Sequence, residues 1–303
     1  DGADAVVMVE RTAGGRETGQ QVTVEIEVPA GDNIRSAGED YVPGQEVMGA
    51  GTVLGPAHLG LLAGMGLRRV PVHPRARVGV LSTGDELVDG PGDLRPGQIR
   101  DSNRHALLAL ARQAGCEPVD FGVVADDKEA IGAALGQASQ RCDAIVTSGG
   151  VSVGDFDYMV VVLQSLGERA VWMQVAIKPA KPLLFGLIDA KPVFGLPGNP
   201  ASSMVSFELF ARPALRQLMG HPEPHRRPVR AVAAHDLARR PDGKLHLVRV
   251  VAEFADDGRL HVRSAGGQGS NLLRSMAAAN ALALLPDGNG TAAGNDVEIL
   301  LLT

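Results

Sequence analysis

Residues 77–220 predict an α/β fold on a parallel sheet, with a β-rich scaffold before it and a small β-barrel-like domain after it. Three observations carry this. Short apolar strands at 78–81, 119–124 and 144–146 alternate with helical stretches at 104–114 and 128–139, which requires crossover connections and hence parallel strands. The ends of those strands carry acidic or glycine-rich residues, where ligands of parallel sheets lie. After Gly220 the pattern becomes short alternating strands separated by Gly/Asp turns.

In chain order, strands are predicted at 5–9 and 21–28, the second alternating through Val22, Val24, Ile26 and Val28. The stretch NIRSAGED at 33–40, taken alone, reads as a solvated charged loop. Residues 42–55 look strand-like with turns. A short helix follows at 56–66, opened by Pro56 and stopped by Gly66. Pro71 and Pro74 mark a linker. The predicted divisions are therefore 1–76 for the scaffold, 77–220 for the α/β domain and 221–303 for the β-rich domain. The sequence opens at Asp1, without Met and in mid-pattern, so it is read as a fragment or as lacking its true N-terminus.

The stretch DAIVTSGGVSVGDFD at 143–157 organises the chemistry. A strand runs into Ser148, Gly149 and Gly150, then Ser152 and two carboxylates, Asp155 and Asp157, before a helix at 158–166. Glycines let backbone N–H groups approach an anion, and a helix N-terminus adds partial positive charge. The carboxylates suit a divalent metal beside a phosphate. Asp85, Glu86, Asp126 and Asp127 end the other two strands. Later, Lys178 and Lys181 each precede a proline in IKPAKP, and the two prolines fix the backbone that holds them; alone they read as a solvated face. A second strand–turn–helix junction, Pro197-Gly198-Asn199-Pro200, again offers free N–H groups to an oxyanion.

Bulk properties exclude other classes. A net charge of −6 argues against a general nucleic-acid binder, and 3% aromatic content against base-stacking platforms. Cys116 and Cys142 have no CxxC or Cys/His neighbour, so neither a zinc site nor a disulfide framework is expected. No apolar run reaches membrane-spanning length and no signal peptide is visible.

These segments resemble a family. GADAVVM at 2–8, NIRxxGED at 33–40, STGDEL at 82–87, GQIxDSN at 97–103, TSGGVSVGDxD at 147–157, IKPxKP at 177–182, GLPGNPxS at 195–202 and GQGS at 267–270 occur in the order found in molybdopterin molybdenumtransferases of the MoeA type, the equivalent of the gephyrin E domain. The adenylating relatives share only the TSGG and DSN elements. The resemblance implies a molybdopterin-binding α/β domain within an elongated, cytoplasmic homodimer. It implies that adenylylated molybdopterin and molybdate are substrates, AMP is released, and Mg²⁺ assists. A molybdopterin adenylyltransferase would be a partner protein; no nucleic acid or membrane is involved.

By the same resemblance Asp40, Glu86, Asp126, Asp157 and Lys178 are catalytic. It also makes Pro197, Pro200, Arg249 and Ser270 substrate-binding; the physical reading of the glycine turns, the lysines and the carboxylates adds Ser148, Gly149, Gly150, Ser152, Lys181, Gly198 and Asn199 as substrate-binding, and Asp85, Glu86 and Asp157 as the metal carboxylates. The alternatives are a non-catalytic pterin-binding or scaffold paralogue, and an adenylyltransferase- or pyrophosphatase-like enzyme on the same fold. Three departures from the family stand out. The upstream MDGYA motif is absent, Gln174 stands where the family usually has lysine, and Ala180 replaces the glycine of KPGKP.

Overall fold

The computed structural model describes residues 2–14, 21–150, 158–166 and 170–302. The chain forms two compact units, Asp1–Leu61 and Leu62–Thr303.

In the first unit, β1 (Thr12–Gly14) pairs antiparallel with β2 (Val22–Val24); α1 (Pro56–Gly64) runs across the division between Leu61 and Leu62. The strand expected at 5–9 does not form. Residues 4–6 bond instead to a turn: Gly31 N donates to Asp4 O (2.7 Å), Val6 N to Asp32 O (2.9 Å) and Asn33 Nδ2 to Val6 O (2.9 Å). A turn offers no continuous ladder for a strand to join. The strand-like stretch at 42–55 also forms turns, because Gly44 and Gly51 both adopt φ of 85° and break any extended run.

The second unit begins with β3 (Arg77–Thr83), a short parallel pair β4 (Leu87–Val88) and β5 (Ile99–Arg100), then α2 (Asn103–Gln113), β6 (Glu117–Val124), α3 (Lys128–Arg141), β7 (Ala144–Ser148) and α4 (Tyr158–Ser165). Next come β8 (Ala170–Gln174), β9 (Ile177–Lys178), β10 (Pro182–Ile188), β11 (Lys191–Leu196) and α5 (Pro200–Ser206). A π-helical turn over Phe207–Ala211 joins α5 to α6 (Arg212–Leu218). The sheet order is β6-β3-β7-β11-β10-β8. The first four strands are parallel, and β10 runs antiparallel to both its neighbours.

Strands buried on both faces alternate between two cores. Val78, Val80 and Val146 face α2, the π-helical turn and α6, whereas Leu81 and Ile145 face α3 and α4. The antiparallel edge arises because only Asp189 and Ala190 separate β10 from β11, and both have positive φ (50° and 62°). That is the signature of a type I′ hairpin turn.

The remaining elements are β12 (Val229–Ala233), β13 (Leu237–Ala238), β14 (Leu245–Phe254), β15 (Leu260–Ser264), α7 (Leu273–Ala278), β16 (Ala281–Leu285), β17 (Gly290–Thr291) and β18 (Asp296–Leu301). The order β15-β12-β18-β16-β14 closes on itself through β14–β15, giving a five-stranded barrel. Closure removes free sheet edges. Small residues (Ala281, Ala283) and β-branched ones (Val250, Val262, Ile299) fill its interior. The α/β region lends the barrel β9, which lies parallel to β14 with Ile177 opposite Leu245 and Lys178 opposite His246. A further core of Ile177, Ala180, Val205, Leu247, Leu282 and Leu300 packs α5 and the IKPAKP loop against the barrel wall.

The hairpin gives a test of backbone strain. An alanine in the left-handed region costs about 1–2 kcal/mol, and the added freedom of glycine in the unfolded chain returns about 0.4–1 kcal/mol of that. Ala190 is exposed, so its methyl group contributes little burial. Ala190→Gly is therefore expected to stabilise the protein by about 0.5–1 kcal/mol in denaturant unfolding. A destabilised variant would remove the strain argument.

Candidate active site

The carboxyl ends of β3, β6, β7 and β11 share one edge of the sheet, and β3 has β6 on one side and β7 on the other. That reversal of strand order is the ligand crevice of open α/β sheets. Here backbone packs against backbone. Gly149 (φ 95°) leaves room for no side chain, since a Cβ would lie 2.3 Å from Thr83 O. Its N–H donates to Leu196 O (3.1 Å). A Cβ on Gly198 would lie 3.9 Å from the Gly149 Cα, so the Ser148–Gly150 and Pro197–Pro200 turns abut.

Asn103 bridges them. Its Nδ2 donates to Ser148 Oγ (2.8 Å) and to Gly198 O (2.7 Å). The second bond fixes the amide orientation, because a carbonyl only accepts. Sequence reasoning placed Asn103 in a motif but gave it no role. The available signal was an amide on the first residue of a helix whose next turn, from Leu107, is buried. Beneath Asn103, Asp101 is buried and accepts from Ser82 Oγ (3.1 Å), Arg104 N (3.1 Å) and Arg104 Nε (2.9 Å). Arg104 also pairs with Asp89 and Asp120. Burial alone would lower its pKa, but the bonds to Asp120, Asp101 and Asp89 outweigh burial and raise it. Breaking a buried pair of this kind costs about 3–5 kcal/mol, so the start of α2 is firmly anchored.

The acidic residues gather at the same edge. Asp85 Oδ1 accepts from Asp126 N (3.1 Å). Glu86 folds back over Gly84, where a Cβ would stand 2.6 Å from Glu86 Oε2. Asp126 is raised above the usual carboxylate range by partial desolvation and then by the charges of Asp85 and Glu86. The Thr83 hydroxyl beside the carboxylate opposes that rise. Asp127 has a different duty: its Oδ1 caps α3 by accepting from Glu129 N and Ala130 N, both at 2.9 Å. Ser152, Asp155 and Asp157 lie outside the described residues. No group of three His, Cys, Asp or Glu among the described residues is close enough to hold a metal. Asp85 and Glu86 supply the oxygen donors that a hard divalent cation takes, but with Asp126 they do not gather closely enough to form such a group by themselves.

Basic groups gather elsewhere in this unit. A groove of ≈700 Å³ is lined by Lys178, Pro179, His246, Arg249, Gln268 and Gly269, among others. Arg249 is fully buried. Its Nε donates to Ser275 Oγ (3.3 Å) and one Nη to Gly267 O (3.0 Å) and Gly269 O (2.9 Å). The other Nη has no partner among the described residues, and burial lowers the guanidinium pKa. Gln268 clamps the Arg249 backbone on both sides, accepting from N (2.9 Å) and donating to O (3.1 Å). The next loop residue but one, Ser270, accepts at its carbonyl from Ala201 N (3.0 Å) and so docks on the start of α5. Lys178 and Lys181 are exposed; Ala180 between them is 2% exposed with φ of 79°. Asp40 belongs to the first unit, beside a cavity of ≈540 Å³ lined by Arg35, Ser36, Gly38, Glu39, Asp40 and Tyr41.

Asp126 supplies a pH test. Its raised pKa means the folded state holds a proton that the unfolded chain has released, so ionisation penalises the fold. The penalty begins as pH rises past the ordinary value of 3.8 and is complete above the raised one. Asp126→Asn is expected to raise Tm of metal-free protein at pH 7, with the gain vanishing towards pH 3.8. An equal gain at both pH values would exclude the cause given.

Comparison with known proteins agrees with this architecture. The family described as "MoeA N-terminal region (domain I and II)" matches residues 1–66, "Probable molybdopterin binding domain" residues 79–217, and "MoeA C-terminal region (domain IV)" residues 230–302. The chain is 38% identical to the molybdopterin molybdenumtransferase of Nostoc sp. over 99% of its own length and 69% of that protein's. It is 39% identical to molybdopterin molybdenumtransferase 2 of Mycobacterium tuberculosis, covering 100% of this chain and 74% of that one. The crystal structure of the molybdopterin biosynthesis MoeA protein from Pyrococcus horikosii superposes with a TM-score of 0.75 at 29% identity, covering 99% of this chain and 72% of that chain. With its sequence relatives, its three matching regions and its fold in agreement, the chain belongs to the molybdopterin molybdenumtransferase family.

Proposed function

We propose that this chain inserts molybdenum from molybdate into adenylylated molybdopterin with release of AMP. The observation that carries the reading is Arg249: a buried guanidinium with no carboxylate partner among the described residues, in a residue that lines the same groove as Lys178. An uncompensated buried charge costs several kcal/mol, and a bound tetrahedral dianion would offset that cost. An adenylyltransferase-like reading leaves this groove without a use.

In this reading the Ser148–Gly150 turn, with Ser152, and the Pro197–Pro200 turn present N–H groups to the phosphates of the pterin nucleotide. Lys178, Lys181, Arg249 and Ser270 serve molybdate. Asp85, Glu86, Asp126 and Asp157 belong to the acidic end, and Asp85, Glu86 and Asp157 would hold Mg²⁺. When bound, that ion would neutralise charge on the phosphate and polarise water there. The protein's own part is to concentrate the carboxylates, aim the backbone donors and keep the anion groove positive. The remaining elements of the proposal are a cytoplasmic homodimer in which Asp40 is catalytic, and divisions at 77 and 221. A molybdopterin adenylyltransferase would be the partner that hands over its product.

Glu86→Gln keeps shape and removes charge, so AMP release is expected to fall by roughly 10²-fold, as losing a key electrostatic group does. Unchanged turnover with normal Mg²⁺ dependence would exclude Glu86. The departures at Gln174 and Ala180 predict weakened oxyanion binding. A neutral hydrogen bond replaces a charged one, a loss of roughly 10-fold in affinity. Gln174→Lys with Ala180→Gly should restore molybdate affinity by about that factor, with a steeper salt dependence. A double variant that binds as the parent does would refute this.

A further inference from the structure

We infer that Asn103 is a positioning residue for the reaction, setting the spacing and aim of the two turns that receive the pterin nucleotide; this rests on the function proposed above. Asn103 is 9% exposed, and both hydrogens of its amide are committed across the two turns, to Ser148 Oγ and Gly198 O. These bonds close no helix or strand. Their partners are instead the last residue of β7 and the middle of the loop before α5.

The peptide plane turns this bond into aim. In a trans peptide the C=O and the following N–H point in opposite directions. Holding Gly198 O towards Asn103 therefore directs Asn199 N–H to the other side of the turn, where an anion would approach. Ser148 Oγ accepts from Asn103 and its own hydrogen is aimed at Pro197 O (3.4 Å), so the hydroxyl is held across the same gap. The base of the clamp is rigid, since Arg104 N and Nε both bond Asp101, two residues before Asn103. The frame continues beyond the turns: Ala201 N donates to Ser270 O, and the loop carrying Ser270 holds Arg249 through Gly267 O and Gly269 O. Asn103 thus sits where the phosphate turns join a path to the anion groove, yet touches no group assigned to molybdate. Its loss should be felt by the pterin nucleotide and not by the dianion.

The test compares Asn103→Ala, Asn103→Ser and Asn103→Asp with the parent in the full chain. AMP release is measured with adenylylated molybdopterin and molybdate, molybdate binding by calorimetry, and folding by thermal unfolding. Displacing a reacting group by about 1 Å costs on the order of 10²-fold. For Asn103→Ala, KM for the pterin nucleotide should rise 10-fold or more, as expected from such displacement, with molybdate affinity unchanged. Asn103→Ser retains one donor and should fall between. In Asn103→Asp the introduced carboxyl donates a hydrogen bond only when protonated, so kcat/KM relative to the parent should climb as pH falls, while the ratio for Asn103→Ala stays flat. Parent-like KM in all three, molybdate affinity falling in step with KM, or a flat ratio for Asn103→Asp overturns the inference. If every variant fails to fold, Asn103 serves folding and the inference is overturned. A parent that neither binds the pterin nucleotide nor releases AMP defeats the proposed function, and this inference with it. An active parent with equally active variants defeats the inference alone.

Discussion

The carboxyl edge of the sheet depends on backbone packing closer than side chains permit. Thr83 at the end of β3 stands where a Cβ on Gly149 would have to go, and the Gly198 turn is stacked against Gly149. Two strand ends and a helix start therefore meet with only main chain between them. Such contact leaves polar groups to be satisfied in a confined space. Asn103 satisfies two acceptors there at once, and Leu196 O takes Gly149 N–H. The glycines are demanded by space, and the amide side chain by the accounting of hydrogen bonds that the space imposes.

Electrostatics at the two ends of this unit carry opposite uncompensated charge. At the acidic end, desolvation and the charges of Asp85 and Glu86 make ionised Asp126 unfavourable. In the groove, burial disfavours the guanidinium of Arg249. Contrast the Asp101–Arg104 and Glu208–Arg226 pairs, where buried charges meet opposite charges within hydrogen-bond distance and need nothing further. Asp101 and Glu208 are paired with arginines, whereas Asp126 at the sheet edge and Arg249 in the groove have no oppositely charged partner among the described residues. Perturbed groups in a cleft mark functional sites better than composition does.

Sequence showed the strand ends because burial on both faces writes apolar runs, and small or acidic residues end them visibly. The barrel was legible as alternation, but its closure was not: β14 pairs with β16 through one half and β15 through the other, a long-range choice with no local signature. The antiparallel edge was hidden because its turn is Asp-Ala, lacking the glycine that marks type I′ turns. Strand-like valines at 5–9 were overruled by bonding to the 31–33 turn. Within the Asp126-Asp127 pair the resemblance singles out Asp126, and the fold supplies the physical difference: Asp126 lies beside Asp85 and Glu86, whereas Asp127 caps α3. Asn103 was in view, but its meaning lies in partners 45 and 95 residues away.

Ala180 shows how a departure from family pattern is absorbed. Its φ of 79° costs about 1–2 kcal/mol for a residue with a Cβ. Against this, the methyl is almost wholly buried among Ile177, Val205 and Leu247, and a buried methyl contributes about 0.8 kcal/mol. Alanine also restricts the unfolded chain relative to glycine by about 0.4–1 kcal/mol. The favourable contributions sum to about the strain, so the global fold has little reason to prefer either residue. What alanine does change is local. The backbone between Lys178 and Lys181 is held left-handed by the packing of that methyl and by Val175 N bonding Lys181 O (2.7 Å). Glycine at this place would let the two lysines adjust to an incoming anion; alanine fixes the loop between them before the anion arrives.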